Sequence, residues 1–186
     1  EEGVSSVELI KPQPAYFEDY NRAVQESFDH QVTEWQPYQP GQYALWKAHI
    51  LDTLAAYETG TDLPAGMPIT YTYWCVEDGA FIGEIQLRPF LTEDEALRWG
   101  HAAYAVRFSQ WGRSYGTRLL RAAVDQLTAL GVSPVYVVCL QDNIGSVASL
   151  KRTVARCCPL SRTRMGECSS AIVCPDKIKS SATDPC

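Results

Sequence analysis

Apolar residues recur at helical spacing in three long stretches of the chain. These stretches are AYFEDYNRAVQESF (15–28), QYALWKAHILDTLAAYETG (42–60) and a segment over about 115–130. Gly60 and Gly131 follow the second and third stretches and are typical helix stops. A further helix begins within DNIGSVASLK (142–151), where Asp142 or Asn143 is available as the N-cap.

Strand patterns lie between these helices. They are VELIKP (7–12), ITYTYWCVEDGAFIGEIQLRP (69–89) as two strands about a Glu-Asp-Gly turn, the alternating HAAYAVRF (101–108), and the continuous apolar run PVYVVCL (134–140). We expect the segments 62–68 and 91–100 to be a loop and a polar connection. Strand, glycine turn, helix and strand between 101 and 140 make a βαβ unit, which requires part of the sheet to be parallel.

Composition agrees with a folded domain of mixed α/β class. The chain has 186 residues, of which 46% are hydrophobic and 11% aromatic, enough for one domain with a real core. No apolar run approaches the roughly 18–20 residues of a membrane span. The net charge of −6 argues against nucleic acid as a partner and favours a cationic one. Seven cysteines without a secretory signal lead us to expect a reducing cytoplasm.

Composition changes sharply near Lys151. Residues 151–186 hold seven Lys/Arg and three Asp/Glu, five of the seven cysteines and none of the 20 aromatic residues. One interpretation is a zinc or disulfide module, although the cysteine spacing lacks a paired Cys-x₂₋₄-Cys motif. A second hypothesis is a shifted reading frame after Lys151, because back-translation of the tail with a permitted choice of third bases gives Gly-Gly, Asp-x-Asp-Gly and Arg-Tyr, in that order, one base earlier.

The segment QWGRSYGTRLL (110–120) joins a strand to a helix and carries candidate chemistry. Gly112 and Gly116 allow close backbone approach, Arg113 adds positive charge, and the helix N-terminus offers unpaired N–H groups. These features suit a phosphate cradle. The alternative is a turn that uses glycine for its shape, and the spacing matches neither the dinucleotide-binding pattern nor the P-loop.

Three segments, FIGEIQLRPFL, GHAAYAVRFSQWGRSYGTRLLRAAVDQLTALG and VYVVCLQDNIGSVASLK, occur in an order and at spacings that resemble the GNAT family of acetyl-CoA-dependent N-acetyltransferases. The resemblance covers about residues 7–151. It implies a mixed, mostly antiparallel central sheet with a parallel, splayed strand pair at its centre and helices on both faces. It also implies acetyl-CoA as cosubstrate and direct transfer of acetyl to a primary amine of a small molecule or peptide.

The family loop reads Arg/Gln-x-x-Gly-x-Gly/Ala, and its amides hold the pyrophosphate of acetyl-CoA. Trp111, Ser114 and Gly116 occupy those positions, so two of the three depart from the pattern, and we expect weaker binding of the cosubstrate. The strand before the loop is expected to pair with the pantetheine arm. The residues that the resemblance assigns to cosubstrate binding are Tyr104, Ala105, Val106, Trp111, Gly112, Arg113, Ser114, Tyr115, Gly116, Thr117, Asn143 and Ser146.

Direct transfer requires a group that accepts the proton of the amine. Glu84 and His101 are the candidates, with a solvated strand carboxylate and a structural histidine as the alternatives. Many family members place a tyrosine acid where this chain has Leu150, so an alternative function is acetyl-CoA binding with little or no transfer. Cys139 is expected in the core, and Arg88 either positions an anionic group or pairs with a nearby carboxylate.

Four aromatic residues are candidates for shaping the acceptor pocket, or for ordinary packing: Trp35, Tyr38, Tyr43 and Trp46. The family's last two strands are not evident in the tail, which we treat as an atypical Cys-rich segment, 152–186, after an acetyltransferase domain, 1–151. No metal site is expected. We expect a monomer or homodimer whose partners are acetyl-CoA and an amine.

Overall fold

A computed structural model describes residues 7–32, 43–140, 143–154, 161–162 and 168–173. The helices are α1 (Phe17–Asp29), α2 (Tyr43–Thr59), α3 (Glu93–Trp99), α4 (Tyr115–Ala129) and α5 (Ile144–Val154). The strands are β1 (Glu8–Ile10), β2 (Tyr71–Glu77), β3 (Ala80–Leu87), β4 (Ala102–Val106), β5 (Val135–Leu140), β6 (Ser161–Arg162) and β7 (Cys168–Val173). Hydrogen-bonded neighbours follow the order β1-β2-β3-β4-β5-β7-β6.

The first of two compact units comprises the chain up to Ile85 together with Tyr104–Tyr115. Its core is aromatic. The ring of Tyr20 on α1 stacks on Trp74 of β2 at 4.7 Å between centroids, and Phe81 of β3 packs edge-on against both rings. All three side chains have no exposed surface, so α1 is held on the β2–β3 hairpin by buried aromatic area.

The second unit comprises Gln86–Ala103 and the chain from Gly116 onward. Here β4 runs parallel to β5, with Ala102 opposite Val137. The sequence predicts an apolar stripe of five residues for α4, and four of them, Leu119, Leu120, Val124 and Leu127, are fully buried. The fifth, Leu130, lies just beyond the helix and is 49% exposed. Hydrophobic burial of this stripe positions the helix whose N-terminus follows the candidate phosphate loop.

The mixed sheet with its parallel pair confirms the predicted fold class. The predicted hairpin is also confirmed: Asp78 and Gly79 adopt φ of 50° and 76°, which suits a tight two-residue turn. Of the two candidate caps of α5, Asn143 accepts a hydrogen bond from the N–H of Ser146 at 2.9 Å. Trp35 and Tyr38, and the side chains of Tyr43 and Trp46, lie outside what the structure describes.

Two predictions about elements are wrong. The segment 91–100 contains a helix, α3, which begins with a capping box in which Thr92 and Glu95 bond each other's backbone N–H. Its residues are mostly exposed, so the apolar periodicity that marks other helices is missing. The tail also contributes strands: β7 pairs antiparallel with β5 from Val135↔Val173 to Leu140↔Cys168. The proposed domain division at residue 151 remains a prediction.

Candidate functional site

The loop before α4 has an unusual backbone. Gly112 and Ser114 have φ of 78° and 62°, both in the left-handed region, and residues 111–114 are exposed. This conformation is ordinary for glycine and costs other residues about 1–2 kcal/mol. Ser114 therefore has a backbone conformation that favours glycine. This conformation explains why the family pattern has glycine where this chain has Ser114.

A buried hydroxyl lies in the first turn of α4. Thr117 is 7% exposed, and its Oγ1 has no hydrogen-bond partner among the described residues. The first N–H groups of a helix also lack intrahelical acceptors and carry partial positive charge. A buried donor without a partner costs about 1–3 kcal/mol. A hydroxyl and amide groups with this placement suit an anion, so the residues present fit a diphosphate.

Neighbouring side chains hold the loop in place. The indole N–H of Trp111 donates to the carbonyl oxygen of Val106 at 2.9 Å, and the guanidinium of Arg113 donates to Gln110 at 3.3 Å. The hydroxyl of Tyr115 donates to the carboxylate of Glu77 at the end of β2. Trp111 thus replaces the usual Arg/Gln with a side chain that ties the loop back to β4, while its ring remains 51% exposed.

The remaining residues assigned to the cosubstrate lie on β4 and at the start of α5. Tyr104, Ala105 and Val106 are half-buried on β4. Asn143 and Ser146 are half-buried at the N-terminus of α5, where the Asn143 side chain caps the helix. Leu150, on the same helix, is 1% exposed, so the position of the family's tyrosine acid is part of the core.

Glu84 is a buried carboxylate, which excludes the solvated alternative. It is 3% exposed on β3, and its Oε2 accepts a hydrogen bond from the indole N–H of Trp74 at 3.1 Å. Burial raises the pKa of the Cys75 thiol to about 12, and the charge of Glu84 contributes to that rise. Cys75 is consequently a neutral thiol. A buried carboxylate held by a fixed donor is suited to accept a proton from a bound amine.

His101 is 6% exposed and held by backbone contacts. Its Nδ1 accepts a hydrogen bond from the N–H of Tyr136 at 3.0 Å, and its own backbone N–H donates to the Tyr136 carbonyl at 2.7 Å. Burial lowers the pKa of His101, so the ring is neutral near pH 7. With Nδ1 occupied as an acceptor, the proton of the neutral ring lies on Nε2, which makes His101 a donor at that atom.

An ion network beside the loop was not predicted from the sequence. Arg107 donates to Glu26 from Nε at 2.8 Å and to Asp19 from Nη1 at 2.9 Å, and Asp19 also accepts the N–H of Phe81 at 2.7 Å. Glu26 accepts the N–H of Ser109 at 3.3 Å. Sequence separations of 81 and 88 residues hide these pairs from any local pattern.

The carboxylates of this network are stabilised in their charged form. Desolvation by itself raises the pKa of Asp19 and of Glu26, but hydrogen bonds and charge from Arg107, with backbone N–H donors, outweigh it and lower both values. The same contacts raise the pKa of Arg107. The network therefore fixes α1 to β3 and to the segment that leads into the loop.

Other candidate chemistry is limited in the described part of the chain. Cys75 is a buried thiol without a disulfide, and Cys139 is half-buried on β5. No group of three or more His, Cys, Asp or Glu among the described residues is arranged to hold a metal ion. None of the described helices is both long enough and apolar enough to cross a membrane.

Comparison with protein-family models identifies the family of this chain. The model of the acetyltransferase (GNAT) domain matches residues 7–153, which include β1 to β5 and all but the last residue of α5. A search of curated protein sequences found no significant match.

Solved acetyltransferase structures share the fold. AAC(6')-Ib, in complex with paromomycin and acetyl-CoA, is 18% identical with a TM-score of 0.66, over 97% of this chain and 99% of that chain. RimL, a ribosomal L7/L12 alpha-N-protein acetyltransferase in complex with coenzyme A, is 13% identical with a TM-score of 0.58, over 90% and 94%. The PaiA N-acetyltransferase from Thermoplasma acidophilum, with coenzyme A, is 14% identical with a TM-score of 0.57, over 90% and 99%.

Proposed function

Because this chain belongs to the GNAT acetyltransferase family and is an acetyl-CoA-dependent N-acetyltransferase, we propose that residues 111–117 hold the diphosphate of acetyl-CoA. The observation that carries this proposal is the buried Thr117 hydroxyl, which has no partner in the described part of the chain. The N–H groups of Gly116 and Thr117 lie in the same helical turn. Together they supply neutral donors and a helix dipole directed at a charged group.

We propose that β4 and α5 bind the rest of the cosubstrate. The backbone of Tyr104 and Ala105 would pair with the pantetheine arm, which contains amide groups that match a strand. Val106 contributes less, because its carbonyl already accepts the indole N–H of Trp111. Asn143 and Ser146 would contact the cosubstrate from the start of α5. The splay of β4 from β5 remains a prediction of the resemblance.

We propose that Glu84 is the general base of the transfer. Acetyl-CoA supplies a thioester carbonyl that an amine attacks directly, so that a C–N bond forms, the C–S bond breaks and coenzyme A leaves as a thiol. The amine must lose a proton as it attacks, and a buried carboxylate is an effective acceptor. Trp74 fixes the Glu84 carboxylate. His101 is suited to donate from Nε2 rather than to accept a proton.

The test is the pair Glu84→Gln and Glu8→Gln in a turnover assay with a panel of primary amines. The glutamine side chain keeps an oxygen for the Trp74 indole but accepts no proton, so we expect Glu84→Gln to lower kcat about 10²- to 10⁴-fold. Glu8 is an exposed carboxylate on β1, and Glu8→Gln should leave kcat unchanged. Full kcat in Glu84→Gln, with acetyl-CoA binding intact, would remove Glu84 from this role.

A second candidate function is acetyl-CoA binding with little transfer. Two observations favour it: Leu150 is buried where the family has an acid, and Ser114 strains the loop. The same amine panel separates the two functions, since a binding protein would retain acetyl-CoA affinity and show no turnover with any amine.

We propose a primary amine as the acceptor, with no nucleic acid partner, and a monomer or homodimer as the assembly. RimL acts on a protein amine by its name, and AAC(6')-Ib is seen with paromomycin, so both a peptide and a small molecule are candidates. The net charge of −6 favours a positively charged acceptor. The buried Cys75, which forms no disulfide, supports a cytoplasmic location.

A further inference from the structure

Arg88, directly after β3, is a half-buried cation without an anionic partner among the described residues. Its guanidinium donates to the carbonyl of Gly100 from Nη1 at 3.5 Å and to the side-chain oxygen of Gln86 from Nη2 at 3.2 Å. No carboxylate in the described ranges forms an ion pair with it, whereas Arg107 and Arg22 are both paired. Of the two sequence-based alternatives for Arg88, pairing with a nearby carboxylate is therefore absent from the described part of the chain.

The guanidinium of Arg88 has donors that its neutral partners leave available for an anion. Desolvation lowers the pKa of Arg88, and no charge of the described residues offsets that effect. Both hydrogen bonds go to neutral oxygens, and one of them is at the limit of bonding distance. A guanidinium has five N–H donors in a rigid fork that matches a carboxylate in two-point contact. The Gly100 carbonyl and the Gln86 side-chain oxygen each accept one of these N–H groups, and together they orient the plane of the Arg88 guanidinium.

The position of Arg88 is next to the start of the parallel strand pair of the second unit. Gly100 approaches β5 so closely that a Cβ on it would lie 3.0 Å from the Val138 nitrogen. The following residue, His101, donates its backbone N–H to the Tyr136 carbonyl, and its carbonyl accepts the backbone N–H of Arg88 at 2.8 Å. The guanidinium thus lies at the junction where β4 and β5 begin to pair.

We propose that Arg88 binds the carboxylate of the amine acceptor, so that the acceptors are amino acids or short peptides with a free carboxylate. This proposal rests on the proposed acetyltransferase function and adds the class of acceptor. Arg88 is a specificity residue in this account and takes no part in moving the proton.

Matched acceptor pairs test the assignment. We would measure kcat/KM for free amino acids against the same amino acid amides, and for dipeptides with a free C-terminus against their C-terminal amides. Each pair keeps the amine and removes only the carboxylate charge. A charged hydrogen-bond contact is worth about 10- to 100-fold in kcat/KM, so the wild type should prefer the acid by that factor. If the acid-to-amide ratio of kcat/KM is larger for the free amino acids, the acceptor is an amino acid, and if it is larger for the dipeptides, the acceptor is a peptide.

Three variants make the test specific. Arg88→Gln should reduce the acid-to-amide ratio to about one by lowering kcat/KM for the acids. Arg88→Lys keeps a charge but not the fork, and should give an intermediate ratio; it also serves if Arg88→Gln folds poorly. Arg98→Gln removes the same charge from an exposed position of α3 and should leave the ratio as in the wild type.

The outcomes separate this proposal from the proposed function. A wild-type ratio near one, or a ratio that Arg88→Gln leaves unchanged, overturns the carboxylate assignment while transfer itself stands. A protein that acetylates other primary amines of the panel but no member of either series contradicts the carboxylate assignment alone, and a protein that acetylates no amine at all contradicts both proposals. A high ratio that is lost in Arg88→Gln and kept in Arg98→Gln supports the assignment.

Discussion

Ser114 adopts a backbone conformation that few residues other than glycine adopt. Its φ of 62° lies directly before α4, in the loop proposed to bind the diphosphate. The cost of about 1–2 kcal/mol is opposed by the lower unfolded-state entropy of serine relative to glycine, about 0.4–1 kcal/mol. The diphosphate would bind this loop with Ser114 in its strained conformation. The strain is therefore expected to affect both the free energy of unfolding and the affinity for acetyl-CoA.

We predict that Ser114→Gly raises stability by up to about 1 kcal/mol and tightens acetyl-CoA binding, because glycine relieves the strain and removes a Cβ from the loop. Thermal unfolding and calorimetric titration with acetyl-CoA measure the two effects.

Asp62→Gly is the matched control for this prediction. Asp62 also has a positive φ, 51°, but lies in a loop far along the chain from the candidate site. The control should raise stability by a smaller amount, because aspartate tolerates the left-handed region better than serine, and it should leave the affinity for acetyl-CoA unchanged. Weaker binding in Ser114→Gly would show that the serine hydroxyl contributes to the site.

Individual site residues are only partly predictable from the sequence. Glu84 is a candidate because it follows a glycine on a strand, but its burial and its bond to Trp74 depend on the packing of β2 against β3. His101 is a candidate base in the sequence, and its bond to Tyr136 of β5 makes it a donor instead. Contacts between strands determine whether Glu84 and His101 can accept or donate a proton. Such contacts join residues that are distant in the sequence, so a local sequence pattern does not reveal them.

At the scale of elements, apolar periodicity predicts the buried helices and misses the exposed one. α4 buries four of its five predicted stripe positions, all but Leu130, and its predicted end lies within one residue of the observed end. α3 buries only Ala96, so its periodic signal is weak. The capping-box pair Thr92 and Glu95, followed by Gly100, is the signal that the sequence does contain. Capping motifs therefore carry more information than periodicity wherever a segment is polar.

The Arg107 network is the principal polar link between α1 and the strands it packs on, within the described part of the chain. The side chains of Arg107, Asp19 and Glu26 are 13%, 16% and 25% exposed. We predict that Arg107→Met costs about 2–4 kcal/mol in the free energy of unfolding, because it leaves Glu26 without its cation and leaves Asp19 with only the exposed Arg22. Urea unfolding measures the loss.

Arg22→Met is the control, since Arg22 pairs with the same Asp19 from a side chain that is 66% exposed. We expect it to cost under about 0.5 kcal/mol. The pKa values of Asp19 and Glu26 lie below their ordinary 3.8 and 4.5. The contribution of the network is therefore present above those values and lost as the pH falls through the lower folded ones. Equal losses in both variants would contradict this account.

At the scale of the whole molecule, the order of elements is more predictable than the end of the chain. Residues 7–153 match one family model. The order of strands, loop and helices in this range can be predicted because apolar periodicity and glycine positions indicate each element. The sequence does not predict β7, yet this strand pairs with β5 along its full length. The segment CSSAIV has little alternation, so its pairing with β5 could not be derived from its own residues.

The central claim is that the loop before α4 binds acetyl-CoA. The most direct measurement is calorimetric titration of the protein with acetyl-CoA beside two variants, Gly116→Trp and Leu130→Trp. The first places a large side chain in the first turn of α4. The second places the same side chain just beyond the opposite end of the helix, where Leu130 is 49% exposed.

We predict a dissociation constant on the order of micromolar for the parent protein and for Leu130→Trp, and no detectable binding for Gly116→Trp at an unchanged melting temperature. Equal binding by all three proteins would place the cosubstrate elsewhere. No binding by the parent would mean that the fold is kept without its cosubstrate, and would contradict the account.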